Sequence, residues 1–266
     1  MGGGGMSKKI RIDLNSDVGE SFGAYKIGLD EEVIPHITSA NIACGFHGGD
    51  PEVMRKTLAL ARKFGVEAGA HPGFPDLMGF GRRNMDATLD EIQDYVVYQT
   101  GALQAFARAQ GMKLQHVKPH GALYNMAAAN PKIWDAIAEA VAKVDRELIL
   151  VALASASRDV LTETGKRHGI RFAFEAFPDR AYLKDGSLAP RREKGAVIHD
   201  HEVVAQRALK MALKGRVIAT DGTEIELKAD TLCVHGDNPA AVQVVKRIRE
   251  SFKASGVEVT AVKNFL

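Results

Sequence analysis

LQHVKPHGALYN, residues 114–125, is the stretch on which the reading of this chain turns. A short run closes on a lysine and a proline, a histidine follows at once, and helical spacing begins behind it. A brief apolar run bounded by turn signals reads as a buried strand. SANIACGFHGGDP (39–51), VEAGAHPGFPD (66–76) and TLCVHGDNP (231–239) repeat the arrangement. His47, His71, His120 and His235 therefore stand where strands hand over to helices. In parallel α/β sheets that edge is where reacting groups converge, so four histidines from four strands point to one shared site.

Outward from these stretches, seven strands are expected: 10–15, 37–43, 66–71, 114–119, 148–154, 171–177 and 231–236. Between them Met54, Leu58, Ala61 and Phe64 share a helical face, as do Ala241, Val244, Val245, Ile248 and Phe252. Asp50-Pro51, Asn130-Pro131 and Asn238-Pro239 each set a capping side chain before a proline at the first helical position. Thr88 and Glu91 have capping-box spacing ahead of a long helix reaching Gln110. Such alternation implies right-handed crossovers and a parallel sheet with helices outside. The expected fold is α/β, a seven-stranded (β/α) barrel. A doubly wound open sheet would gather its site at one switch point, whereas polar groups here follow at least six strands. Residues 216–228 alternate around Asp221-Gly222 and read as a hairpin insertion. Residues 178–200 form a connection long enough to be a lid over the site. The organisation is a single domain over 7–266, with residues 1–5 read as a cloning remnant and Met6 as the native start.

Composition narrows the function classes. Among 266 residues, 35 basic and 33 acidic side chains leave a net charge of only +2, so no nucleic-acid footprint is present. The densest basic cluster, Arg191-Arg192-Glu193-Lys194, contains an acid and reads as a solvated loop. Two cysteines, Cys44 and Cys233, make no disulfide framework and read as reduced core thiols. No apolar run of roughly eighteen residues and no signal peptide occurs, which predicts a cytoplasmic protein without a membrane segment.

Strand alternation turns Asp13 and Asn15 inward, with Asp17 and Glu20 expected in the loop over the mouth. A buried acid is costly without partners, so Asp13 is either functional or a satisfied acid pinning a neighbouring loop. Asp17, beside Gly19, is the stronger functional candidate. Pro72 and Gly73 stiffen the loop behind His71, and Asp50 is a cap. Lys118 and His120 form the most specific pair: a cation that polarises a carbonyl or stabilises an anion, and an acid–base group titrating near neutrality. Strand six brings Glu175 and the lid residues Asp179, Arg180 and Tyr182. Arg180 offers a forked donor for a carboxylate. Asp237 either orients His235 or simply precedes the cap at Asn238. The chain lacks G-x-S-x-G, H-E-x-x-H and G-x-x-x-x-G-K-[ST], so phosphate chemistry would need another kind of nucleotide site or a partner chain.

The blocks DLNSDVGE (13–20), NIACGFHGGDP (41–51), AHPGFPD (70–76), GFGRR (79–83), VKPHGALYN (117–125), FPDRAY (177–182) and VHGDNP (234–239) resemble the LamB/YcsF family, in order, from about Ile10 to Glu258. The resemblance implies a barrel of the glycoside hydrolase/deacetylase type. It also implies ATP-dependent opening of 5-oxo-L-proline to L-glutamate, with ATP as co-substrate and B and C subunits as partners. On this reading Asp17, His71, Lys118 and His120 are the catalytic candidates. Asn15, Asn41, His47, Arg180 and His235 are the substrate-binding ones. A divalent cation, as magnesium with ATP or as a site metal, stays open, as does a homo-oligomer. One alternative is a stand-alone metal-dependent deacetylase, with Asp17, His71 and His120 as borderline ligands. Another is a non-catalytic subunit that presents a small acid to a partner.

Overall fold

The first strand, β1 (Arg11–Val18), explains why the sheet closes with a polar interior. Ile12, Leu14 and Val18 are buried in the apolar core, while Asp13, Asn15 and Asp17 alternate with them and form hydrogen bonds to the other strands. Because β1 runs to Val18, Asp17 sits on the strand beside Asn15 and not in the loop expected from the sequence. The two-residue period then lines up all three polar side chains on one face.

The computed structural model describes residues 9–154, 157–235 and 239–266. Along the chain follow α1 (Asp30–Val33), β2 (Ser39–Ala43), α2 (Pro51–Phe64), β3 (Glu67–His71), α3 (Leu89–Ala109) and β4 (Leu114–Val117). The middle of the chain forms α4 (Gly121–Ala129), α5 (Pro131–Val144), β5 (Ile149–Leu153), α6 (Arg158–His168) and β6 (Arg171–Ala176). After the long connection come α7 (His201–Lys214), the hairpin β7 (Arg216–Ile218) and β8 (Glu224–Glu226), β9 (Thr231–Cys233), α8 (Pro239–Ala254) and β10 (Glu258–Val259). Strands β1 to β6 lie side by side in parallel, β9 pairs with β6, and β9 pairs again with β1 through Asp13↔Thr231 and Asn15↔Cys233. The sheet is thus a closed seven-stranded parallel barrel, as expected, with β10 added beside the start of β1. The hairpin at 216–226 is antiparallel, turning at Asp221-Gly222.

Asp50 accepts from the Val53 amide at 2.9 Å, Asn130 from the Lys132 amide at 3.1 Å, and Thr88 with Glu91 forms the reciprocal capping box. Asn238 lies outside the described residues, as does Asp237. Met54, Leu58 and Ala61 face the core, but Phe64 is 42% exposed at the last turn of α2, where Lys63 covers its ring. Both cysteines are free and buried. No helix among the described residues is long and apolar enough to cross a membrane.

The N-terminal end of the barrel is tied by Asp13. Thr38 and Ser39 each donate to its Oδ1 at 2.7 Å, and Thr231 donates to its Oδ2 at 2.5 Å. Three hydroxyls, one before β2, one on β2 and one on β9, satisfy the acid, which is a structural tie remote from the mouth. Burial outweighs those hydroxyls and raises its pKa from 3.8 to about 6. A folded-state pKa above the unfolded one means the native state holds the proton longer. The associated stability is complete below about pH 4 and is lost as pH rises through about 6, on the order of 3 kcal/mol. Subtracting the urea-unfolding pH profile of Asp13→Asn from that of the wild type should expose this falling limb; a flat difference between pH 4 and 7 would contradict it.

Candidate active site

At the opposite end of the barrel, the carboxyl ends of β1, β3, β4 and β9 surround a small cavity of about 70 Å³. Asp17, His71, Lys118, His120, Arg180 and His235 all border it. Asn15 and Asn41 lie buried beneath these groups, and His47 is buried behind His120, its ring stacked on that of His120 at 3.6 Å. The structure thus brings the four catalytic and five substrate-binding candidates into one neighbourhood, in two layers.

Lys118 anchors the lower layer. Its ammonium lies 2.7 Å from Glu175 Oε1, 3.0 Å from Asp17 Oδ1, 3.2 Å from Asn15 Oδ1 and 3.3 Å from Cys233 Sγ. Burial by itself would strip its proton, but Asp17, Cys233 and Glu175 outweigh burial and hold its pKa well above the lysine range. Asn41 donates to Asn15 at 2.7 Å and to Asp17 at 2.8 Å, and takes a 2.7 Å hydrogen bond from His116 Nε2 on its own Oδ1. Tyr124 donates to Glu175 Oε2 at 3.0 Å. Asn15 and Asn41 therefore hold Asp17 and Lys118 in register, with their polar atoms engaged below the cavity. Glu175 stands where the sequence placed it, at the end of strand six, whereas nothing in the sequence distinguishes Tyr124 from an ordinary helix position.

The upper layer is a set of imidazoles whose tautomers the backbone dictates. A carbonyl oxygen can only accept, so His71 Nδ1 donates to Lys118 O at 2.7 Å and His120 Nε2 donates to Phe80 O at 2.8 Å. Phe80 adopts a left-handed φ of 54°, the one non-glycine residue to do so among those described. Gly81 beside it has no room for a Cβ, which would fall 2.7 Å from His47 Cβ and 2.8 Å from His120 Cδ2. With the outward nitrogens anchored, the inward nitrogens His71 Nε2 and His120 Nδ1 face each other at 2.9 Å, a pair that either a shared proton or a cation would bridge. Asp17 Oδ2 lies 3.4 Å from His71 Nε2, and Glu20 Oε1 lies 3.7 Å from His120 Nδ1 and 3.3 Å from His47 Nε2. Neither nitrogen of His47 nor Glu20 Oε1 has a hydrogen-bond partner among the described residues.

Charge follows from that crowding. Burial would raise Asp17, but His71 and Lys118 hold it well below the carboxylate range. Burial, then the neighbouring histidines, press His47 and His120 well below the usual imidazole value. Burial and the charge of Asp17 raise Glu20 to about 7. The donor set of Glu20, His47, His71 and His120, with ligand atoms within 4.8 Å of one another, fits a divalent cation. The carbonyl anchors on the far nitrogens of His71 and His120 are the supporting contacts that metal-binding histidines use. This cluster differs from the Asp17, His71, His120 triad expected from sequence: Glu20 and His47 replace Asp17, whose Oδ1 is occupied by Lys118 and Asn41.

Across the cavity, His235 Nδ1 lies 2.6 Å from Asp179 Oδ2, and Arg191 approaches its Nε2 at 3.5 Å. The Asp179 charge, against burial, raises the His235 pKa. Arg180 borders the same space, but its guanidinium donates to the carbonyls of Ala189 at 2.6 Å and Ala196 at 3.3 Å, clamping the 178–200 connection. Tyr182, fully buried, accepts from the Phe177 amide at 2.7 Å and pins the base of that segment. Arg191, read from sequence as part of a solvated loop, is on the cavity rim, because the lid folds back over the mouth.

Residues 12–266 match the model of the LamB/YcsF family. A Bacillus subtilis protein, named as the A subunit of 5-oxoprolinase, is 54% identical over 95% of this chain and 97% of its own length. A Pyrococcus abyssi protein of the same name is 52% identical over 97% of this chain and all of its own. Among solved structures, a lactam utilization protein from Thermus thermophilus superposes with a TM-score of 0.88 at 49% identity, covering 94% of this chain and 99% of that one.

The Lys118 network sets an expectation for stability. Replacing Lys118 with methionine leaves Asp17 and Glu175 facing each other without their cation, and breaking such a buried group costs about 3–5 kcal/mol. Lys118→Met should therefore unfold at markedly lower urea than the wild type, and the double variant Lys118→Met/Glu175→Gln should recover part of the loss. An unchanged midpoint for the single variant would refute this account of the barrel interior.

Proposed function

Because this chain belongs to the LamB/YcsF family, we propose that it is the A subunit of a 5-oxoprolinase, opening the lactam of 5-oxo-L-proline to L-glutamate in an ATP-dependent reaction shared with B and C subunits. One observation carries this reading: about half the residues are identical, over nearly the whole chain, to proteins bearing that name. The cavity's chemistry agrees, since a resonance-stabilised five-membered lactam needs its carbonyl activated and its nitrogen protonated.

Activation by ATP places a phosphoryl group on the lactam oxygen as ADP departs. Water then adds to the ring carbon. If phosphate left first, the lactam would simply return; productive cleavage requires the carbon–nitrogen bond to break as the nitrogen receives a proton. The acyl phosphate left behind is hydrolysed by a second water to glutamate and phosphate. Proton delivery to nitrogen is therefore the step that decides the outcome. The geometry favours His235 for it, because Asp179 raises the pKa of that imidazole and so favours its protonated form, whereas burial lowers that of His120, whose Nε2 proton is committed to Phe80 O. Asp17, ionised and 3.4 Å from His71, is the base side of the same cavity. Lys118 acts by fixing Asp17 and Glu175. A divalent cation would be held by Glu20, His47, His71 and His120, and when bound it supplies Lewis-acid polarisation of a carbonyl or phosphoryl oxygen.

Three outcomes are expected. Reconstituted with B and C subunits, the chain should form glutamate from 5-oxo-L-proline and ATP, while the chain alone should not; robust turnover without partners would sink the shared reaction. His235→Ala should lower that turnover by roughly two to four orders of magnitude. Since Asp179 raises the His235 pKa, the wild-type rate should fall as pH rises through that raised value, and Asp179→Asn should move the falling limb to lower pH. An unmoved limb would remove His235 from the proton step. For the cation, chelator-treated protein titrated with Co(II) should develop one equivalent of d–d absorption, lost in His71→Ala and in Glu20→Gln. Absence of binding by the folded wild type would leave the histidine cluster a purely protonic device.

A further inference from the structure

Below the catalytic cavity, His116 on β4 is buried and has no part in the chemistry assigned to the mouth. Its imidazole lies so close over Gly69 of β3 that a Cβ there would run into the ring, and only glycine allows that approach. Nε2 is 2.7 Å from Asn41 Oδ1, and Nδ1 is 3.0 Å from the side-chain nitrogen of Gln115. Burial first, then the charges of Lys118 and His71, lower its pKa to about 3 against the opposing charge of Asp17. The ring is therefore neutral and carries one proton.

Which nitrogen holds that proton is decided from both ends. At the mouth, Asp17 Oδ1 is 2.8 Å from Asn41 Nδ2 and, ionised beside Lys118, can only accept. Asn41 must turn its amide nitrogen to Asp17 and its oxygen to His116. At the other end of the barrel, the backbone N–H of Lys263 can only donate, and it meets Gln115 Oε1 at 3.2 Å. The Gln115 nitrogen is left to donate to Ser39 Oγ at 2.9 Å and to His116 Nδ1. Ser39 can accept because its own proton goes to Asp13. Both ends demand one tautomer, with the proton on Nε2 and the lone pair on Nδ1. The lower end is firmly held: Lys263 Nζ pairs with Glu67 at 2.7 Å, Arg11 and Arg171 donate to the carbonyls of Asn264 and Leu266 at 3.0 Å, and Val262 packs with Ile149, Val151 and Ala173. Residues 262–266 are thereby tied to β1, β3, β5 and β6.

We propose that His116 is a positioning residue for the lactam reaction: as a fixed donor to Asn41 it locks that amide, which holds Asp17 Oδ1 in place and leaves Oδ2 toward His71. The inference rests on the reading of the chain as a lactam hydrolase with Asp17 on its base side. Without the donor, Asn41 Oδ1 is left buried and unpaired, a costly state that turning the amide over would relieve. The turned amide would set its oxygen against those of Asn15 and Asp17, and the carboxylate would move.

Two substitutions separate the donor from mere filling of space. In His116→Gln the amide nitrogen can reach the place of Nε2, whereas the shorter side chain of His116→Asn reaches only the place of Nδ1 and cannot serve Asn41. Reconstituted with B and C subunits, His116→Asn should lower kcat for glutamate formation, per folded chain, roughly ten- to hundredfold. KM should stay within about twofold, because the groups that meet the substrate are unchanged. His116→Gln should recover most of the loss. Nitrogen NMR of the histidine-labelled chain alone should show one imidazole signal, absent in His116→Gln, with its proton on Nε2 and no titration between about pH 5 and 8. A proton on Nδ1 would overturn the role, and because this is read on the wild type it holds even if His116→Asn fails to fold. Equal kcat in the two variants, or a loss that only follows the urea midpoint, would also overturn it. Unchanged turnover in both, with glutamate still formed, would overturn the role and leave the proposed function standing. A wild-type complex that forms no glutamate would overturn the functional reading and this role together.

Discussion

A single ammonium group inside the mouth of the barrel organises the rest of this protein. Lys118 brings three protons to four acceptors contributed by β1, β6 and β9. A buried charge survives only with close partners of opposite sign and satisfied hydrogen bonds. The requirement explains why Asp17 and Glu175, from strands on different sides of the barrel, both turn inward. It also explains the relay beneath them, in which His116 serves Asn41, and Asn41 serves Asn15 and Asp17. Side chains that would otherwise be apolar filling become a scaffold whose members each have one allowed orientation.

On that scaffold the cavity is chemically lopsided. One wall gathers imidazoles whose outward nitrogens are anchored to backbone carbonyls, so that the inward nitrogens of His71 and His120 face the cavity side together. The other presents donors, because Asp179 raises the pKa of His235 and the lid brings arginines to the rim. A base side and an acid side separated across one small space are what ring opening needs, since attack at carbon and protonation at nitrogen occur on one substrate in one sequence. The same wall suits a cation, because four ligand atoms from Glu20, His47, His71 and His120 lie within 4.8 Å of one another.

The lid does more than cover the mouth. Arg180 grips the carbonyls of Ala189 and Ala196, Arg207 grips those of Pro178 and Arg180, and Tyr182 is buried at its base. A long segment without regular structure is thereby ordered by side-chain to backbone bonds. The order matters for chemistry because Arg191, on this segment, borders the cavity, and Asp179, at its start, pairs with His235 there.

Much of the architecture was legible in the chain before any coordinates. The seven strands, the caps at Asp50, Asn130 and Thr88, the hairpin at Asp221-Gly222 and the convergence of His71, Lys118, His120 and His235 all follow from local rules: periodicity, capping and turn chemistry act over a few residues, and strand ends of a parallel barrel share one face. What local rules cannot carry is pairing across long separations. That Asp13 is a structural tie depends on hydroxyls at Thr38, Ser39 and Thr231; that Lys118 is saturated depends on Glu175 and Asp17; that His120 is neutral depends on its burial and on the carbonyl of Phe80. Sequence alone determined which chemical groups reach the mouth of the barrel, because that is a matter of strand ends. Only the tertiary structure decided which of them hold protons, charge or each other, because those properties are set by distances of a few ångströms between residues far apart in the chain.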